Sequence, residues 1–436
     1  MSNLNLGRDL YLKGRIGWRG LSKDEYLSVS DYRIINATAL MDGFVDWDNC
    51  GYISKERYDE SPEIMLQEGD LLISKDGTLG KIGYVKGITK PCTVASGIFV
   101  LRNTIPDVLN FDYLYHVLKS HIFKGFIARN QALGSTISHL YQSDLENFEM
   151  ELPSLDDQEL IASVLNTIDA KIANNNAICS NLEAMAKLLY DYWFVQFDFP
   201  DENGKPYKAS GGKMVWNDGL KREIPAGWEA KPLSAFIAES KNGDWGNNKP
   251  KRKDDIEVTC FRGADFASIT DDYHVTAPIR YISANNSDRL LSDGDLITEI
   301  SGGSPTQATG RVGYINQKFL DRNGGKMDCS NFCKAFTPME CFYQYWLYQT
   351  WKAFYDAGVM FNYESKTTGI KNLMFDEFIT WVRVPAPSDE LLKKYQEVCS
   401  QYYDKIQEEF IESTQLASLR DFLLPMLMNG QVKVGA

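Results

Sequence analysis

The chain has 436 residues, enough for two to four domains of ordinary size. Its 44% hydrophobic and 24% charged content excludes wholesale disorder. A formal charge of −13, from 46 basic and 59 acidic residues, speaks against a protein that coats nucleic acid without regard to sequence.

No apolar run reaches the roughly 18–20 residues that span a membrane. The opening MSNLNLGRDLYLKGRIGW has no apolar signal core, so a soluble, cytoplasmic protein with no membrane partner is expected. The eight cysteines are scattered and read as reduced, buried thiols. Cys329, Cys333 and Cys341 come nearest to a metal cluster, but His116, His121, His139 and His274 lie far from them in sequence, and no metal site is expected.

In chain order, residues 1–152 mix short strand-like runs (Leu71–Ser74, Gly97–Leu101) with the helical stretch Phe111–Phe126. Residues 153–198 then carry apolar positions at alternating steps of 4 and 3: Ile161, Leu165, Ile168, Ile172, Cys179, Leu182, Ala186, Leu189 and Trp193, with Asn175 on the same seam. Asp156 and Asp157 suit the start of that helix. Residues 199–224, rich in Pro, Gly and Lys, read as a linker.

Residues 225–385 again mix strands (Ile297–Ile300) with a helix (Tyr343–Phe354). Residues 386–436 form a second long helical pattern through Leu391, Tyr395, Val398, Tyr402, Ile406, Phe410, Ser413, Leu416, Leu419, Leu423 and Met426. A stutter falls at 402–406–410, and Pro425 is expected to end or kink the helix.

The chain says the same thing twice. Gly69–Val85 reads GDLLISKDGTLGKIGYV, and Gly294–Ile315 reads GDLITEISGGSPTQATGRVGYI. Ile137–Pro153 (ISHLYQSDLENFEMELP) matches Ile370–Pro385 (IKNLMFDEFITWVRVP). The offset stays near 230 residues at every anchor, so the architecture is two copies of one α+β unit. Segments 153–200 and 386–436 hold a net −8 of the charge, which leaves the two globular parts close to balanced.

Catalytic signatures are missing from the sequence. Gly77-Thr-Leu-Gly-Lys81 lacks phosphate-loop spacing, Gly302–Arg311 has no lysine, and no GxSxG or amino-methyltransferase tetrapeptide occurs.

Six segments in fixed order resemble the specificity (S) subunit of type I restriction–modification systems. They are Gly69–Val85; Leu152–Gln158 (LPSLDDQ) with Ile161-Ala162; Leu182–Phe199 (LEAMAKLLYDYWFVQFDF); Gly204–Met214 (GKPYKASGGKM); Ile224–Trp228 (IPAGW); and Leu419–Val434 (LRDFLLPMLMNGQVKV).

The resemblance implies two tandem target-recognition domains (1–152 and 225–385), separated by two long antiparallel coiled-coil helices in a pseudo-twofold internal repeat. Each domain would read half of a bipartite site in double-stranded DNA, with the helices as a ruler of about 55 Å, or roughly 16 base pairs. It further implies two docked methyltransferase subunits and up to two restriction/translocase subunits. S-adenosylmethionine, ATP and Mg would be held by those partners, and this chain would have no catalysis of its own. The competing reading is a coiled-coil adaptor whose domains have lost DNA binding.

If the domains read DNA, loop residues able to pair with bases and phosphates are the candidates. In the first domain these are Arg15, Trp18 and Arg19; Lys75, Asp76, Thr78 and Lys81; and Arg129, Asn130, Gln131, Ser135 and Thr136. In the second they are Lys241, Asn242, Trp245, Asn247, Lys249, Lys251, Arg252 and Lys253; Ser304, Thr306, Gln307 and Arg311; and Tyr363, Ser365, Lys366 and Thr367. Leu182, Met185, Leu189, Trp193, Phe194 and Phe197 are the candidate partner-docking surface.

Overall fold

The Gly-Asp-Leu run that opens each repeat becomes a central strand. In the computed structural model, which describes residues 2–15, 20–41, 43–130, 139–274, 276–367, 369–428 and 431–432, Leu71–Ser74 and Leu296–Glu299 are buried at every position. A strand covered on both faces needs apolar residues on both, which explains why Leu71-Leu72-Ile73 and Leu296-Ile297 carry apolar side chains at successive positions. The preceding Gly69 and Gly294 adopt φ of +89° and +94°, a conformation that favours glycine.

The aspartate of each run is structural. Asp70 is buried and accepts from Arg102 Nε (2.8 Å) and Nη2 (2.7 Å) and from the Gln67 amide (2.8 Å). Asp295 accepts from Lys241 Nζ (2.9 Å), Thr337 Oγ1 (2.6 Å) and the Ser292 amide (2.9 Å).

Two compact units form: residues 1–170 with 417–436, and residues 171–416. In the first, Tyr11–Gly14, Ile98–Arg102, Leu71–Ser74, Ile82–Tyr84, Gly43–Val45 and Leu40–Met41 lie side by side in one sheet. A second sheet orders Gly51–Ile53, Tyr32–Ile35 and Cys92–Val94, its first pair antiparallel and its second parallel. Leu71, Ile73, Phe99 and Leu101 face a core shared with Phe111–Lys119 and both long helices, while Leu72, Ile98 and Val100 face Ile35, Cys92 and Val94.

The other unit repeats this order. Ile237–Asn242, Cys333–Pro338, Leu296–Glu299 and Val312–Tyr314 form one sheet, and Ile279–Ile282, Ile256–Phe261 and Met327–Cys329 the other, again antiparallel then parallel. Each unit also closes a first-to-last strand pair, Ser2–Asn5 with Glu149–Leu152 and Glu229–Pro232 with Arg383–Ala386. The internal repeat inferred from sequence is therefore a repeat of topology.

The long helices span Leu155–Tyr190 and Asp389–Met428, the first continuing as a π turn over Asp191–Val195. Within each unit they pair antiparallel. Asn175 Nδ2 donates to Ser413 Oγ (3.3 Å) and Glu412 Oε2 (2.8 Å), and Tyr395 Oη donates to the Ala186 carbonyl (3.4 Å). In the other unit Arg420 Nη1 meets Asp169 Oδ1 at 2.7 Å.

The seam of the second helix keeps Leu391, Tyr395, Ile406, Phe410 and Ser413 as expected but takes Cys399 and Tyr403 in place of Val398 and Tyr402. Tyr395, Cys399, Tyr403, Ile406, Phe410 and Ser413 are fully buried, so the stutter lies at 395–399–403, and Leu419 faces solvent. The helix also passes through Pro425 to Met428; the proline, lacking an N–H, costs the intrahelical bond to the Asp421 carbonyl, and only one further turn follows it.

The segment read as a linker is folded. Met214–Asn217 and Arg222–Pro225 form a hairpin, and Phe199 stacks between Tyr207 (4.7 Å) and Trp228 (5.3 Å). The Arg222 guanidinium lies 4.7 Å from the Phe197 ring. Among the described residues no helix is long and apolar enough to cross a membrane.

Candidate nucleic-acid interface

In the first unit the turn Lys75–Lys81 is shaped from within. Ser74 Oγ donates to the Thr78 carbonyl (2.6 Å) and accepts from the Lys81 amide (2.9 Å), while Gly77 and Gly80 take φ of +69° and +72°. This leaves Thr78 and Lys81 exposed. Lys75 is half-buried, its ammonium 4.7 Å from the Phe99 ring, and burial pushes its pKa down. Asp76 pairs with His139 Nδ1, and Leu140 N donates to Lys75 O (3.0 Å), so the turn is joined to the chain just after residues 131–138.

Arg129 is exposed, and Asn130 donates back to the Phe126 carbonyl at 2.9 Å. Trp18, Arg19, Gln131, Ser135 and Thr136 lie outside the described residues. Arg15 does not face solvent: it is 2% exposed, donating from Nε to the Val94 carbonyl (3.1 Å) and from Nη1 to Ser61 Oγ (3.4 Å). Burial lowers its pKa. Its partners stand far along the chain, out of reach of local sequence reading. A cavity of about 640 Å³ beside the turn is lined by Leu40, Ile82, Phe123 and Ile127 together with Lys81 and Lys124. Lys119 and Lys124, which the sequence reading missed, line the same cavity as Lys81.

In the second unit the loop Gly243–Asn248 is held rigidly. Gly243 packs so closely on the Cys329 and Ser330 carbonyls that a Cβ would lie 2.3 Å from both oxygens. The Trp245 amide donates to Asn331 Oδ1 (3.0 Å), and Asn247 exchanges backbone bonds with Tyr281 (2.8 and 3.0 Å). Trp245 is 37% exposed with Arg280 against its ring.

Lys249, Lys251, Arg252 and Lys253 are all exposed on the following loop, whose backbone is held by Asp255 accepting from the amides of Lys251 and Arg252. Asn242 is exposed as well. Lys241 is not free, being committed to buried Asp295. Arg311 is likewise engaged internally, bidentate with Glu299 (2.9 Å to each oxygen) and donating to the Gly263 carbonyl (2.7 Å).

Ser304, Thr306 and Gln307 form a capped turn, Ser304 Oγ accepting from the Gln307 amide (3.1 Å). A small sheet orders Ser301–Gly302, Ile370–Leu373 and Glu364–Thr367, so the strand Ile370–Leu373 stands between the segment leading into this turn and Ser365, Lys366 and Thr367; the side chains of Lys366 and Thr367 are outside the described set. Tyr363 packs edge-on to Phe378 at 5.2 Å.

The docking candidates divide. Trp193, Phe194 and Phe197 are core residues, Phe194 lying 5.0 Å from Tyr395 and Phe197 5.6 Å from Trp228. Leu182 and Leu189 are half-buried and Met185 is exposed. The apolar residues that do face solvent step by 3, 4 and 3: Met185, Leu188 (67% exposed), Tyr192 and Val195. The heptad pattern pointed to the buried face; this second stripe lies opposite it.

The family model for the "Type I restriction modification DNA specificity domain" matches residues 17–184. The chain is 26% identical over 395 residues to the type I restriction enzyme MjaIX specificity subunit of Methanocaldococcus jannaschii, covering 85% of this chain and 81% of that one. It is 22% identical over 423 residues to the HindI specificity subunit of Haemophilus influenzae, covering 84% and 87%. Over most of its length the chain is similar to type I specificity subunits.

The fold is matched too. The crystal structure of a type I system S subunit from M. genitalium superposes with a TM-score of 0.55 at 16% identity, covering 98% of this chain and 95% of that one. The family-model match ends at residue 184, and the strand order of the second unit extends the same architecture to the rest of this chain.

Proposed function

We propose that this chain is a type I specificity subunit that reads a bipartite target in double-stranded DNA, one unit to each half-site, and that it contributes no catalytic group of its own. The observation that carries this reading is the repeated topology. Both units place a Gly-rich turn after the same central strand, joined to the same later segment, and both present exposed polar and basic loops there. Two similar readers on one chain suit two half-sites better than one continuous sequence.

In this reading the subunit also scaffolds two methyltransferase subunits and up to two restriction/translocase subunits, which bring S-adenosylmethionine, ATP and Mg. The exposed stripe of Met185, Leu188, Tyr192 and Val195 is a surface suited to holding a methyltransferase.

Methylome sequencing of a host that expresses the chain with its modification subunit tests the proposal. One bipartite motif is expected. A single contiguous motif, or an assembled complex with no salt-dependent DNA affinity, would overturn it, the latter in favour of an adaptor.

A further inference from the structure

The two units can be aligned residue by residue at the point where the Gly-rich turn is tied down. Lys75 N donates to Gly97 O (2.8 Å), as Ile300 N does to Phe332 O (2.8 Å). Leu140 N donates to Lys75 O (3.0 Å), as Leu373 N does to Ile300 O (2.8 Å). Asp76 bridges His139 in the same way that Ser301 bridges Asn372. One backbone frame thus carries three equivalent positions in each unit, and all three differ in chemistry between the units.

The first unit has Asp76, Gly97 and His139; the second has Ser301, Phe332 and Asn372. Asp76 and His139 form a carboxyl–imidazole pair with side chains 42% and 34% exposed. Ser301 Oγ donates to Asn372 Oδ1 at 2.6 Å, a neutral pair in the same place. The third position varies with them. A Cβ at Gly97 would lie 3.4 Å from Asp76 Oδ2, so the absence of a side chain leaves that carboxylate its room. Opposite the shorter Ser301 stands Phe332, and it is 55% exposed.

An exposed phenylalanine held on a strand end is poor packing for a stable domain, whereas it suits apolar contact with a thymine methyl group or a base step. Side chains that differ on an invariant frame, in the middle of the candidate interface, are what two readers of two different sequences require.

We infer that these three equivalent positions determine which bases each unit accepts, His139 with Asp76 in the first unit and Phe332 in the second. This rests on the DNA-reading function proposed above.

The test uses the full chain assembled with its modification subunit, with methylated motifs read by sequencing. Phe332→Ala removes an exposed ring and leaves the core untouched; it relaxes one position of one half-site, with about tenfold less discrimination between bases, and leaves the other half unchanged. His139→Ala does the same in the opposite half. The inference is overturned if either variant, recovered as assembled complex, keeps both halves unaltered, if either alters both halves, or if both alter the same half. A wild-type complex with no bipartite motif would instead overturn the DNA reading itself.

Discussion

Arg280 holds Trp245 from two sides: its guanidinium carbon lies 4.2 Å from the indole ring, and its Nε donates to the Trp245 carbonyl at 2.9 Å. It also donates to Asn248 Oδ1, so one buried cation fixes the whole loop that presents Trp245. Arg280→Ala is expected to loosen that loop and to cost the assembled complex about tenfold in DNA affinity, measured by titration of a labelled target duplex. Arg280→Lys, which keeps the charge but not the planar stack, is expected to recover only part of it.

Neutralising Lys249, Lys251, Arg252 and Lys253 together to glutamine should weaken binding to every sequence alike. The slope of log K against log salt would fall by up to about 3.6 if all four touch phosphate, while the preferred motif stays the same. An unchanged slope would remove this loop from the interface.

Asp295→Ala should destabilise its unit by about 3–5 kcal/mol, because Lys241 would be left as a buried charge without its partner. A chemical-denaturation curve on the purified chain measures this. Replacing Lys241 and Asp295 together by apolar residues of similar size is expected to cost less than the single change.

Asp328 is fully buried, and burial raises its carboxyl pKa to about 7; Oδ1 accepts from the Cys329 amide at 2.7 Å and Oδ2 has no partner. A carboxyl whose folded pKa is raised binds more protons in the folded state than in the unfolded one. Its unit therefore loses stability as pH rises from about 4 through 7, by an amount on the order of 2–4 kcal/mol. Asp328→Asn should raise the melting temperature above pH 7 and flatten that part of the pH profile.

Leu188→Asp places a charge on the exposed stripe and should leave the melting temperature unchanged while abolishing co-purification of the modification subunit. Trp193→Ala, in the core seam beside Tyr395, should instead cost about 3–5 kcal/mol of stability. Loss of the partner with both variants and equal destabilisation would mean that the stripe is merely structural.

The sequence by itself determined the duplication, the central strands, the long helices and the family resemblance. Those features are written in local patterns: Gly-Asp-Leu runs at a constant offset, heptad steps, and short motifs in order. It also marked the Gly-rich turns, because positive φ at Gly77 and Gly80 demands glycine. What tertiary structure alone decided was which polar residues are free. Arg15, Lys241 and Arg311 read as loop cations, yet each is held by a group distant in sequence or across a strand: Val94, Asp295 and Glu299. Phe332, which no sequence pattern singled out, stands in solvent. Burial and pairing are properties of strands brought together from far along the chain, and composition or spacing within one segment carries no record of which side chain meets which.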